Sequence, residues 1–221
     1  MPETRTFLRP DGRRFLTGRP DGELPPGELF AVVDESDHER LGSLEDLGFV
    51  RERRELELVL PTGVPRLPAP SSVEAVRADE VDEDTLRLLD DELRQDVPGT
   101  DGWRWAPPAF REETFLSPHF DPAVYLVATC ESEPAGICRV WIRPEHPRLG
   151  FMGVRRSLRR RGIARWLIGE ALAVLHARGA REVWTEVDET NVASRALLEG
   201  LGGRVVGASL ELRRRAAVPT P

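Results

Sequence analysis

The stretch from Gly150 to Arg165 leaves an apolar strand, crosses a basic turn and enters a helix. With a further apolar run at 181–187, it makes a strand–helix–strand unit, which should pair in parallel through a right-handed crossover. The helix, expected over 162–178, rests on the spacing of Ile163, Leu167, Ala171, Val174 and Leu175, with Gly179 just past its end. Such a turn is an anion site. The first N–H groups of a helix have no intrahelical acceptor, and the helix dipole adds partial positive charge there. Gly162 lets the backbone approach a phosphate closely, and small Ala164 does not block it. Six arginines lie between 155 and 165, concentrating positive potential in a chain of net charge -7. A solvated basic face or an RNA-contacting run is the other reading of such a charge pattern.

Upstream, the patterns predict a strand at 73–77, a helix at 83–95, an aromatic loop with some helical turns over 96–121, and strands at 123–130, 135–142 and 148–154. Downstream they predict a helix at 191–200 and a strand at 204–213. The early strands have short connections and can form antiparallel meanders, so the class is α/β with a mixed α+β sheet.

Four prolines between Pro61 and Pro70 make 61–71 a linker, because proline fixes φ and removes a donor. It is expected to separate a short piece, 1–60, from a full domain, 72–214. The short piece resembles the end of that domain. At a shift of 154 residues, Glu28–Leu58 falls on Glu182–Leu212 without gaps and eleven of the thirty-one positions are identical, against roughly two expected by chance. Val33-Asp34-Glu35 matches Val187-Asp188-Glu189, and Leu56-Glu57-Leu58 matches Leu210-Glu211-Leu212. Each copy reads strand, helix, strand, with a Leu-Gly pair ending the helix. The first copy begins after the point where a glycine turn would lie and carries Asp37 where the second has Asn191. It is therefore expected to be a partial repeat that binds no anion of its own and instead covers an edge or apolar face of the complete domain.

Composition removes several function classes. The acidic balance argues against general nucleic-acid binding and mildly favours cationic partners. All 31 basic residues are arginine, so lysine nucleophiles and Schiff bases are excluded. No apolar run is long enough to span a bilayer, and the opening residues lack a signal-peptide pattern, so a cytoplasmic protein without membrane association is expected. Cys130 and Cys138 are expected as small hydrophobes on neighbouring strands, and the scattered histidines, His38, His119, His146 and His176, give no metal-ligand spacing.

Arg159-x-x-Gly162-x-Ala164 after Val154, then Asn191 and a helix ending at Leu201-Gly202, resembles the Gcn5-related N-acetyltransferases, whose signature is Gln/Arg-x-x-Gly-x-Gly/Ala. The resemblance covers about residues 72–213. It implies an acyl-CoA N-acyltransferase fold and acetyl-CoA as cosubstrate; the histidine and cysteine spacing leads us to expect no metal. The pyrophosphate would lie on the turn Arg159, Arg160, Arg161, Gly162, Ile163, Ala164 and Arg165. The pantetheine would pair with the backbone of Met152, Gly153 and Val154 and meet the Asn191 side chain. The reaction implied is direct transfer, in a ternary complex, of an acetyl group to a primary amine of a small molecule or peptide.

Glu186 matches the position where family members acting on protein N-termini place a catalytic carboxylate, five residues before Asn191, and is the candidate base. Strand alternation could equally make it an ion-paired structural residue. The tyrosine that relatives often carry seven residues after the Asn is replaced by Leu198, which has no proton to give. This departure motivates an alternative, a catalytically impaired acyl-CoA-binding or scaffolding protein. Trp103, Trp105 and Phe110 could cage an ammonium or stack on an acceptor's ring, or could simply seal a long loop to the core. A homodimer is compatible with the sequence.

Overall fold

The computed structural model of the chain describes residues 5–18 and 24–216. Its strands are β1 (Arg5–Leu8), β2 (Arg14–Thr17), β3 (Leu29–Asp34), β4 (Val50–Pro61), β5 (Val73–Arg77), β6 (Tyr125–Cys130), β7 (Glu133–Ile142), β8 (Pro147–Val154), β9 (Glu182–Asp188) and β10 (Arg204–Arg214). Its α-helices are α1 (His38–Asp46), α2 (Glu83–Arg94), α3 (Pro107–Glu113), α4 (Ile163–Ala177) and α5 (Val192–Gly200). The chain divides into two compact units, one of residues 1–57, 187–189 and 205–221 and the other of 58–186 and 190–204. The expected division at 61–71 is thus displaced. The boundary falls inside β4, and the final strand belongs with the N-terminal residues, because strand pairing between distant segments decides compactness where local composition marks only a flexible stretch. Even the start of the proline-rich stretch is built in: buried Thr62 donates its N–H to Arg181 O at 3.0 Å and its hydroxyl to Ala180 O at 2.6 Å.

In the first unit β1 and β2 form an antiparallel hairpin, β2 lies parallel to β3, and β10 lies antiparallel to β3 from Ser209↔Asp34 to Arg214↔Leu29. Alternation sends Leu29, Ala31 and Val33 into one cluster with Leu210 and Leu212, closed by Leu41 and Leu44 of α1 and by Phe49. Asp37 caps α1 by accepting from the Arg40 N–H at 3.0 Å, as Asn191 caps α5 by accepting from the Ser194 N–H at 3.2 Å. The 154-residue shift carries α1 onto α5 and Gly48 (φ 85°) onto Gly202 (φ 86°). It also carries the bond from Glu35 N–H to Ala208 O onto the bond from Glu189 N–H to Arg54 O, each 2.9–3.0 Å long, with donor and acceptor drawn from opposite ends of the chain in both.

In the second unit β5, β6, β7 and β8 run antiparallel in sequence order and β9 joins β8 in parallel, as the connection lengths predict. One face carries Tyr125, Val127, Ile137 and Phe151, packed under Leu86, Leu89 and Leu93 of α2 and the loop aromatics. Alternation turns Leu126, Cys138 and Val140 to the other face, against which α4 packs Leu167, Ala171 and Leu175.

The loop aromatics correct one expectation. Phe110 is fully buried, and Trp105 is 9% exposed with its indole N–H on Asp90 at 2.7 Å. Trp103, half-buried, meets Trp105 at 4.6 Å, and the edge-to-face contacts run on through Phe110, Phe115 and Phe120 to Tyr125. Buried among neighbouring rings, and with the Arg94 guanidinium carbon already 5.6 Å from the Trp105 ring centre, Trp105 and Phe110 are core residues and not walls of an open acceptor pocket.

Beneath these rings lies a buried ionic cluster. Asp90, with no exposed surface, accepts from Arg94 Nε at 2.9 Å and faces Arg139 Nη2 at 3.4 Å, while Asp91 accepts the Trp105 N–H at 2.8 Å. Burial lowers the Arg94 pKa and raises that of Asp91. Asp90 links α2, the aromatic loop and β7, and it is the anion set between two guanidinium groups. Asp90→Ala would leave both arginines unpaired in the core, and we expect a loss of about 3–5 kcal/mol, measured as a lower urea midpoint at unchanged slope. Phe110→Ala should cost a similar amount, about 3–5 kcal/mol, through the cavity it opens.

Candidate active site

The turn ahead of α4 owes its shape to two left-handed residues, Arg160 at φ 64° and Gly162 at φ 82°. A Cβ on Gly162 would meet nothing within 4 Å, so the backbone angle, not crowding, is what calls for glycine there. The first bond of α4 runs from Trp166 N–H to Gly162 O at 3.0 Å. The N–H groups of Ile163, Ala164 and Arg165 precede it and have no partner within the helix. Arg160, Arg161, Gly162 and Arg165 are exposed, Ala164 is half-buried and Ile163 is buried, so the turn that leads into these donors is itself open to solvent.

Most of the arginines in this run build the turn. Arg159 donates Nε to Val154 O at 2.9 Å and reaches Asp96 with its other end; Arg156 meets the same carboxylate at 2.6 Å. Arg155 pairs with Glu92 at 3.1 Å, Arg161 donates to Ser157 O at 3.4 Å, and Arg165 donates to Gly200 O at the end of α5 at 2.6 Å. Among the described residues Arg160 alone of the six makes no side-chain hydrogen bond or ion pair. Asp96, bonded first by Arg159 and then by Arg156, has its pKa held below the usual carboxylate value. Sequence reasoning missed Asp96, which lies just beyond α2 with no motif to mark it.

Beside this turn two parallel strands part. The β8–β9 ladder consists of one pair, Arg148↔Trp184, supplemented by the Thr185 hydroxyl donating to Leu149 O at 2.9 Å. On its other side β8 stays paired with β7, through Met152↔Cys138, Gly153↔Ile137 and Val154↔Gly136. A register shift after Arg139↔Phe151 makes the next pair Val140↔Leu149, leaving Gly150 as an extra residue on β8. From Gly150 onward the edge of β8 that faces β9 has polar backbone groups available to an extended ligand. Asn191, half-buried at the start of α5, uses its oxygen as the helix cap and keeps its amide NH2 outside that bond. Leu198 is buried.

Glu186 is tied at both carboxylate oxygens to Arg148, through Nε at 2.9 Å and through Nη2. Sequence reasoning did not connect this residue with its neighbours. Trp141↔Arg148 and Arg148↔Trp184 are direct cross-strand pairs, so Trp141, Arg148 and Trp184 form a row over three strands, with Glu186 two positions beyond Trp184 on the same face. Trp141 lies against Gly150 so closely that a Cβ there would sit 2.5 Å from the indole. Arg139, Arg143 and Arg148 place their guanidinium carbons 5.2, 5.4 and 5.1 Å from the Trp141 ring centre, within cation–π range. His146 stacks on Trp184 at 4.6 Å. The usable signal in sequence was Arg139 and Trp141 at period two in a strand, which puts both on one face, with Arg143 just past the strand's end.

Known proteins match this arrangement. The Acetyltransferase (GNAT) family profile matches residues 85–202, which includes the turn, the fork and Asn191. A mycothiol acetyltransferase from Salinispora arenicola is 33% identical over 181 residues, which cover 75% of this chain and 57% of that protein, so the chain spans little more than half the length of this relative. A GCN5-related N-acetyltransferase from Sphaerobacter thermophilus superposes with a TM-score of 0.71 at 22% identity, over 87% of this chain and 62% of its own. A tandem GNAT protein from the clavulanic acid biosynthesis pathway superposes with a TM-score of 0.64 at 20% identity, over 88% of this chain and 66% of its own. On the family match and on a shared fold that reaches well beyond it, this chain belongs to the GNAT family of acetyltransferases.

Proposed function

We propose that the chain is an acetyl-CoA-dependent N-acetyltransferase acting by direct transfer to a primary amine of a small molecule or peptide. The observation that carries this reading is the set of open α4 amides at the Gly162 turn, lying at the end of the strand whose edge is freed by the β8–β9 fork. A diphosphate fits such a turn: it needs backbone donors, left-handed residues to aim them, and no side chain in the way. The donors of Ile163, Ala164 and Arg165 would hold it, with the unpaired guanidinium of Arg160 adding charge. An amide-bearing arm fits the freed edge at Met152, Gly153 and Val154, with the Asn191 NH2 as a further donor. Bound acetyl-CoA supplies a thioester acyl group that reacts with neutral amines.

The chain's own residues then have separable tasks. An amine arrives largely as ammonium and must lose a proton before it can attack; Glu186 is the carboxylate at the fork able to take it, directly or through one water. Arg148 holds that carboxylate at both oxygens, which fixes its aim. Leu198 can give no proton to the departing thiol, but a thiol with a pKa of about 8.5 leaves as an anion without a dedicated acid. The two-point engagement of Glu186, together with Leu198, is the specific observation favouring the second reading, a binder of acyl-CoA with impaired catalysis.

Residues 28–60 read best as the remnant of a second GNAT copy whose last strand has been exchanged with that of the complete copy. The supporting observation is reciprocal: Glu35 bonds Ala208 while its 154-shifted counterpart Glu189 bonds Arg54. A remnant held by such exchange would persist for packing, without an anion turn of its own.

Three results are expected. Glu186→Gln should lower kcat by about 10²- to 10⁴-fold while the acetyl-CoA Kd measured by calorimetry changes little; unchanged turnover would remove Glu186 from the mechanism, and absence of turnover in the wild type across an amine panel would favour the binder. Gly162→Ala forces a side chain into the left-handed region at about 1–2 kcal/mol and should weaken acetyl-CoA binding along with stability. Asp96→Asn should weaken CoA binding by loosening Arg159 and Arg156. The stability that Asp96 contributes in the wild type, its folded pKa being depressed, is complete above about pH 4 and lost as pH falls through the lowered folded value, which acid titration of Tm for the two proteins would check.

A further inference from the structure

The face that holds Trp141 carries more positive charge than its own carboxylates balance. Arg139 is matched by buried Asp90 and Arg148 by Glu186. Arg143, just past the end of β7 and over the Trp141 ring, makes no ion pair among the described residues. It is exposed, so a ligand can reach it, yet it lies over the Trp141 ring, and burial first and then the nearby charge of Arg148 lower its pKa. The acidic neighbours that oppose this are Glu186, already bound at both oxygens, and exposed Glu145. An unmatched guanidinium held against an indole, beside a second guanidinium, is a receptor for a carboxylate or another small oxyanion.

Its position gives the anion a companion. Trp141 covers Gly150, the extra residue at which β8 leaves β9, and Arg148 joins Trp141 to Glu186. A ligand lying on the Trp141 ring therefore has a carboxylate of the protein at one end and an uncompensated cation at the other. The geometry points to an acceptor that is itself zwitterionic, an amine carrying a carboxylate a short stem away, of the amino-acid or short-peptide class. Its ammonium faces Glu186, its stem rests on Trp141, and its carboxylate pairs with Arg143. This assignment rests on the amine-acceptor reading and narrows it. It also opposes the expectation, drawn from net charge, that cationic partners are favoured: the sum over the chain is acidic, but the local field at the fork is not.

The test separates binding from turnover. An aliphatic amino acid and its carboxamide, equal in shape and differing in the negative charge, are titrated into the protein–CoA complex by calorimetry, and both are assayed for acetyl transfer from acetyl-CoA. We expect the amino acid to bind at least about tenfold more tightly, a difference of about 1.4 kcal/mol. Arg143→Gln should erase that difference, and Arg143→Glu should reverse it in favour of the carboxamide, with far-UV circular dichroism and Tm unchanged because the residue is exposed. Equal binding of the pair to the wild type, no binding of either, or a preference that survives both substitutions, overturns the subsite. A preference that is lost in Arg143→Gln, with no acetyl transfer to either compound, leaves the subsite standing and overturns the amine-acceptor reading instead.

Discussion

Two parallel strands joined at a single rung are the constraint on which the rest of the site depends. Arg148↔Trp184 is the one backbone rung between β8 and β9; past it and the Thr185 hydroxyl on Leu149 O, the groups of β8 that face β9 have no strand partner. A parted pair is costly in a sheet, since unpaired N–H and C=O groups must find water or a ligand. Here the parting begins at a bulge, where Gly150 lies under Trp141, and ends at a turn that contributes further free donors from α4. One end of the opening carries arginines and the first N–H groups of α4, while the sheet face beside it carries a carboxylate, an indole and guanidinium groups. Both arise from the same local divergence of the chain.

What keeps that divergence in place is a buried network some distance from it. Asp90 draws Arg94, Trp105 and Arg139 together under α2, and Arg139 in turn lies against Tyr125, Trp141 and Phe151. Burying charges in this way stabilises little compared with apolar packing, but removing one member is expensive. The network is better understood as setting position: it locks the aromatic loop to the sheet and holds the ring that overlies the bulge. The many arginines obey the same logic. A planar fork can cap a carbonyl and hold a carboxylate at once, as Arg159 does with Val154 and Asp96.

Local patterns carried the secondary structure from β5 onward well, because alternation and 3.6-residue spacing are set by which side chains must be buried. The helix expected over 162–178 is observed at Ile163–Ala177, and the strand expected over 204–213 at Arg204–Arg214. The turn ahead of α4 was legible for the same reason: its requirements, glycine at positive φ and a helix start after a strand, are local. The domain division was less legible. Prolines at 61–71 mark where regular structure stops, yet β10 joins the N-terminal residues, since a strand's partner is chosen by long-range complementarity that no window of sequence displays. The aromatics of residues 103–110 show the converse error. An aromatic cage and an aromatic plug have the same composition, and only burial tells them apart.

By itself, then, the sequence determined most elements from β3 onward, the class of fold and the glycine turn that opens α4. Tertiary structure decided how those parts are used: that Glu186 is gripped by Arg148, that Asp96 braces the turn, and that Trp141 and Arg143 face the opening while Trp105 and Phe110 do not. The physical reason is range. Helix starts, caps and alternation depend on residues within a few positions of one another, whereas ion pairs and ring contacts join residues 38 or 60 positions apart, as in Arg148–Glu186 and Arg156–Asp96, and come into being only when the sheet has brought them side by side.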